Sequence, residues 1–222
     1  MLLVTLVIGT GAAADLESDS GVWGVVTASG SAAALSPTLE DFRWWMEAQA
    51  RFRNDAGDFD QSIIRPGIGY AIVPEVTVWI GYGWFRTSPE NGRDFDEHRI
   101  WQQLSWARDF DLFRLTTRTR IEQRFRENGD DTGGRFRQRV GVSHPLSSHF
   151  DLVAHDEIFV NLNSTDWGAD SGFDQNRGFA GFRWNANQHV RLEIGYLNRF
   201  TNQSGGSDAM DHIAMITLQL VP

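Results

Sequence analysis

The chemistry available to this chain is carried mainly by arginine. All 20 basic residues are Arg and none is Lys, against 29 acidic residues, for a formal net charge of -9. In the stretch 113–126, Arg114, Arg118, Arg120, Glu122, Arg124 and Arg126 alternate with Phe113, Leu115, Thr117, Thr119, Ile121 and Phe125. Arg135, Arg137 and Arg139 repeat the spacing, as do Glu47 with Arg51, Glu97 with Arg99, and Glu157 among apolar neighbours. Residues two apart in a strand share a face, so these charges belong to one side of a sheet and the apolar residues to the other. Guanidinium groups gathered on an inner face can do one of two things. They can form planar bidentate pairs with carboxylates and fill the interior, or they can line a water path and attract anions. The candidate lumen-lining set is Arg51, Arg99, Arg118, Arg120, Arg124, Arg135, Arg137 and Arg139, with Glu47, Glu97, Glu122 and Glu157. Seven arginines on 118–126 and 135–139 have only Glu122 among them, so the rest must reach distant carboxylates, water or a bound anion.

Such a face needs a particular scaffold. Period-two ladders recur from Phe42 to Leu220, for example Phe42, Trp44, Met46, Ala48, Ala50 and Phe52 opposite Arg43, Trp45, Glu47, Gln49, Arg51 and Arg53. A helix would scatter these residues round its circumference. The connections alternate, short at 71–76, 107–111, 145–150 and 185–189, longer and polar at 54–61, 87–96, 128–134, 163–176 and 202–211. Apolar-out, polar-in strands joined by alternating short turns and long loops describe an all-β, transmembrane, antiparallel up-and-down barrel of about ten to twelve strands. Counting from Phe42 gives ten strands with both ends on the periplasmic side, and 22–31 is left as a partial strand, a hairpin arm or a lumen insert. Hairpins echo one another at roughly 37 residues, consistent with one repeated unit. The 12% aromatic content supplies rings for interfacial girdles, with Trp79 at inward parity, where Gly81 and Gly83 leave room for an indole. Mean hydropathy is only -0.35, as expected when every second residue faces lipid. Residues 1–14 are uncharged and end in small residues, which reads as a secretory signal or its remnant, leaving 15–222 as the barrel domain.

Several motifs together resemble a bacterial family. They are Phe59-Asp60-Gln61-Ser62 with Arg65-Pro66-Gly67-Ile68-Gly69-Tyr70, Glu97-His98-Arg99-Ile100-Trp101-Gln102-Gln103-Leu104, Arg118-Thr119-Arg120-Ile121-Glu122-Gln123-Arg124-Phe125, Phe173-Asp174-Gln175-Asn176-Arg177 and Leu192-Glu193-Ile194-Gly195-Tyr196-Leu197-Asn198. In order and spacing they are similar to the family catalogued as domain of unknown function 2490, from about Val22 to the end of the chain. The resemblance implies an outer-membrane barrel and supplies no activity.

Other functional classes are poorly supported. With no Cys there is no thiolate nucleophile, disulfide or thiolate metal site. Net acidity with inward arginines argues against nucleic acid. The loop acids, among them Asp130, Asp131, Asp166 and Asp170, lack a calcium-loop spacing, and no metal or other cofactor is expected. His98 beside Asp96 and His212 beside Asp211 are the best bases for a lipid hydrolase, but no serine elbow accompanies them. The expected protein is therefore a barrel of the bacterial outer membrane, in contact with its lipid and lipopolysaccharide. Its favoured role is a narrow Arg-lined channel for small anionic solutes. The alternative is a structural or envelope-interaction barrel with a salt-bridged, closed lumen, and a lipid hydrolase ranks behind both.

Overall fold

A computed structural model describes residues 16–203 and 206–221; the expected signal, 1–14, lies outside the described residues. The alternating ladders form eleven strands: β1 (Glu17–Ser31), β2 (Phe42–Arg53), β3 (Asp58–Val73), β4 (Val76–Thr87), β5 (Phe95–Asp109), β6 (Arg114–Arg126), β7 (Thr132–Pro145), β8 (Phe150–Asn161), β9 (Gly172–Asn185), β10 (Val190–Thr201) and β11 (Ala209–Leu220). Each pairs antiparallel with the next, and β1 also pairs with β11, which closes the barrel.

That last seam gives eleven strands, within the expected ten to twelve, and corrects the placement of both barrel ends on one side. Residues 22–31 are neither an insert nor a hairpin arm but most of β1, with Trp23 and Val25 buried inside. Because eleven is odd, β1 and β11 run the same way and pair in parallel, from Glu17 beside Ala209 to Ala28 beside Leu220. The two ends of the barrel sheet therefore lie at opposite mouths, not together. The pattern of connections also shifts. β3 extends up to Asp58, so the expected long loop 54–61 is a tight turn at 54–57, while 32–41 at the opposite, short-turn mouth holds two 3-10 turns. In that tight turn Asn54, Asp55 and Ala56 all have positive φ, 52°, 55° and 66°, which Asn and Asp tolerate and Ala does not.

The outer wall is largely apolar. Val26, Met46, Ile64, Ile68, Ile80, Ile100 and Ile216 face outward and are exposed, Ile68 to 64%. Aromatic pairs mark both rims, Phe42 against Tyr70 at 5.3 Å near the short turns and Phe52 against Phe59 at 5.8 Å near the loops. An apolar band between aromatic rings is the surface of a transmembrane barrel. The polar groups on this wall satisfy one another, as a surface without water requires: Gln102 with Gln123 at 3.1 Å, Thr119 donating to Gln138 at 2.6 Å, and Asn176 donating to both oxygens of Asp156 at 3.0 Å.

Candidate functional site in the barrel interior

The inward faces of β5 to β8 build a dense ionic wall. Arg118 stands opposite Arg139, and Arg120 opposite Arg137, in the β6–β7 ladder. Left alone, such like-charged neighbours repel by roughly 4 kcal/mol at ~4 Å. Glu122, with no exposed surface, relieves them as a hub: Arg137 lies 2.7 Å away, Arg135 3.1 Å, Arg99 3.4 Å and Arg120 3.6 Å. Two further carboxylates extend the network. Glu157 takes Arg118 and Arg137, both at 2.8 Å. Glu97 takes Arg99 at 2.6 Å and holds Arg124 in a fork at 2.7 and 3.1 Å. Glu47 pairs instead with Arg65 at 2.8 Å, across the β2–β3 ladder.

Two members of the candidate set stand apart from this pairing. Arg51 donates to the amide oxygens of Gln49 and Gln61, and Arg139 has no ion pair among the described residues. The side chain of Arg177 on β9 has neither an ion pair nor a hydrogen bond among the described residues, and its Nε is buried.

Aromatic rings, rather than carboxylates, complete the interior. Arg51 lies 3.9 Å and Arg177 4.9 Å from the centre of the Trp23 ring. Arg99 stacks on Phe85 at 3.6 Å, and Arg137 and Arg177 both lie 4.5 Å from Phe159. The negative face of a ring stabilises a cation without neutralising it. Trp101, 1% exposed, faces Arg120 at 4.5 Å and fills the space over Gly67 and Gly81, where an added Cβ would come within 2.5 and 2.2 Å of the indole. The room expected for Trp79 near Gly81 and Gly83 is thus taken by Trp101 and Phe85; Trp79 lies over Gly69, edge-on to Trp45. Sequence reasoning missed these inner rings. The available signal was parity for two of them, since Trp101 falls in step with Arg99 and Phe159 with Glu157, whereas Trp23 and Phe85 have no charged inward neighbour two residues away.

Polar cavities remain, among them one of about 480 Å³ at the loop mouth beside Asp170 and Asp174, and three that share lining residues in turn. One of about 560 Å³ opens at the short-turn mouth around Arg114, Asp151 and Arg183. A second, about 260 Å³, lies deeper and shares Arg139, His155, Arg191, Glu193 and Gln219 with the first. The third, about 180 Å³, lies toward the loops and shares Arg51, Arg65, Arg137 and Arg177 with the second. Side chains, not backbone, therefore separate one cavity from the next.

At the loop mouth the 162–171 segment folds inward. Trp167 lies 4.7 Å from Arg124, its carbonyl accepts from Arg126 at 3.0 Å, and its indole N–H donates to the Asp131 carbonyl at 2.8 Å. Asp166 accepts from the backbone N–H groups of Asp130 at 2.9 Å and Asp131 at 3.2 Å, which hold its carboxyl below the usual carboxylate range. The rim histidines and their neighbouring aspartates take different partners. His98 and His212 turn Nδ1 to the hydroxyls of Tyr82 and Tyr196, at 2.5 and 2.6 Å, while Asp96 pairs with Arg86 and Asp211 with Arg199.

The chain is 32% identical over 225 residues to the uncharacterized protein MexAM1_META1p0181 of Methylorubrum extorquens, covering 98% of this chain and 96% of that one. The barrel is similar to a solved structure of the NanC porin, with TM-score 0.49 and 13% identity, over 86% of this chain and 93% of that one. The profile described as "Protein of unknown function (DUF2490)" matches residues 20–211, and this chain belongs to that family.

Proposed function

We propose that this protein is a bacterial outer-membrane barrel, set in lipid and lipopolysaccharide, that passes small anionic solutes along its arginine-faced cavities. The observation that carries the reading is the succession of three cavities sharing lining residues from the short-turn mouth to the loop side, with guanidinium groups at each junction. Of the junction residues Arg51, Arg65, Arg137 and Arg177, only Arg51 and Arg177 lack a carboxylate partner among the described residues, and these two side chains can swing without disturbing the sheet. Positive groups focused in a narrow, low-dielectric passage attract anions and repel cations. The long loops would face outward and the short turns the periplasm.

The competing reading, a closed structural barrel, is favoured by the fully buried Glu122 hub, which gathers Arg99, Arg120, Arg135 and Arg137 around one carboxylate. The two readings are reconciled if that wall is the rigid half of the lumen and the β1, β2, β9 and β10 side the permeable half. Location is tested by fractionation with heat-modifiable gel mobility: outer-membrane recovery and a shift on boiling are expected, and a soluble, unshifted protein refutes it. Passage is tested by efflux from liposomes containing the purified barrel. Chloride and acetate should leave faster than from protein-free liposomes, and equal rates refute transport.

A further inference from the structure

The loop-side cavity has an unusual charge balance. Seven guanidinium groups line it, those of Arg51, Arg65, Arg99, Arg135, Arg137, Arg177 and Arg199, and a single carboxylate, Asp60, which is itself paired with Arg53 at 3.3 Å. Five of the seven have carboxylate partners, yet Glu47, Glu97, Glu122, Glu157, Asp174 and Asp211 are not among the residues that line the cavity. These acids neutralise their arginines from behind and leave N–H groups toward the space. Arg51 and Arg177 have no ion-paired carboxylate at all among the described residues. They are held near one another by a shared indole, Trp23, at 3.9 and 4.9 Å. A ring quadrupole attracts each cation and cancels neither, so two positive charges remain uncompensated in a buried setting.

We propose that this cavity is a binding site for a compact dianion with oxygen acceptors, of phosphate or sulfate size, clamped between Arg51 and Arg177. Two unmatched charges call for two negative ones, and the guanidinium fork fits oxyanion geometry. The volume, about 180 Å³, falls below the usual range for drug-sized ligands and suits a small oxyanion. Gln61 and Gln175 also line the cavity, and Phe85 and Phe159 lie beneath the guanidinium groups of Arg99, Arg137 and Arg177. The proposal deepens the anion reading above and rests on its premise that aqueous anions enter the interior.

The test is calorimetric titration of the folded barrel in detergent micelles with sodium phosphate and sodium sulfate, at constant ionic strength set by chloride. Saturable binding of one dianion per barrel is expected. Arg177→Gln should weaken it roughly tenfold or more, the effect of losing hydrogen bonds to a charged group, while Arg86→Gln, outside the cavity, should leave it unchanged. If Arg177→Gln fails to fold, Arg177→Lys, which keeps the charge and loses the fork, should fold and still bind less tightly. Absence of saturable binding, or equal affinity in the native barrel and a folded Arg177 variant, overturns the site. Anion efflux without dianion binding refutes this site and leaves the channel; dianion binding without efflux does the reverse.

Discussion

Replacing Glu122 with glutamine keeps the side chain's shape and removes the one negative charge shared by four guanidinium groups. At an effective dielectric near 20, each contact, 2.7 to 3.6 Å long, is a gross attraction of about 5 kcal/mol, roughly 20 kcal/mol in sum. Most of that is offset by the desolvation of the five groups and by repulsion among the arginines. Three of the four keep another carboxylate: Arg99 has Glu97, Arg135 has Asp174 and Arg137 has Glu157. Arg120 keeps only the amide oxygen of Gln103, at 2.6 and 2.9 Å. The expected loss is therefore near the lower end for a broken buried pair, about 3 kcal/mol. The assay is a urea titration of the barrel refolded in lipid vesicles, read by heat-modifiable mobility. Adding Arg120→Met to Glu122→Gln should recover part of the loss, because it removes the one of the four hub arginines left without a carboxylate. A loss below about 1 kcal/mol, or no recovery in the double variant, would show that Glu122 is not the hub of this wall.

Ile68→Arg, on the outer wall between Trp44 and Ile80, should cost about 2 kcal/mol or more in the same titration, and an unchanged midpoint would place that face out of lipid. Ala56→Gly should stabilise by about 0.5–1 kcal/mol, since it relieves a left-handed alanine at +66°, and a destabilised variant would contradict the turn geometry. The clasp between 127–131 and 162–171 depends on ionised Asp166, whose lowered pKa makes its contribution complete above the ordinary carboxylate range and lost as pH falls through the lowered value. Exchange of the Asp130 and Asp131 amides should accelerate on acidification over that interval and become pH-insensitive in Asp166→Asn after correction for intrinsic rates.

Much of the wall was legible because strand parity is local. Which residues share a face follows from neighbours two apart, so the sides of β2 and β6 can be read from Phe42 to Arg53 and from Arg114 to Arg126 alone. Closure cannot be read that way. Val22 to Ser31 alternates weakly, and what fixes it as β1 is non-local: the Trp23 indole meets Arg51 from β2 and Arg177 from β9. Pairing inside the lumen is non-local too. Glu122 draws Arg99 from β5 and Arg135 and Arg137 from β7, an outcome of barrel shear and side-chain reach that spacing along one strand does not encode. The loop expectation failed at 54–61 because polar residues there continue β3 past a bulge at Arg51/Phe52 instead of leaving the sheet.

Under the proposed function, selectivity of a path through this barrel is set by guanidinium groups. It is tested most directly by the reversal potential of single barrels in a planar bilayer under a potassium chloride gradient. The potential should lie on the chloride side of zero and move toward zero in Arg139→Gln and Arg191→Gln, whose side chains line the junction of the two cavities nearer the short turns. A potential on the potassium side, or one identical in the native barrel and in variants that still conduct, would contradict the account.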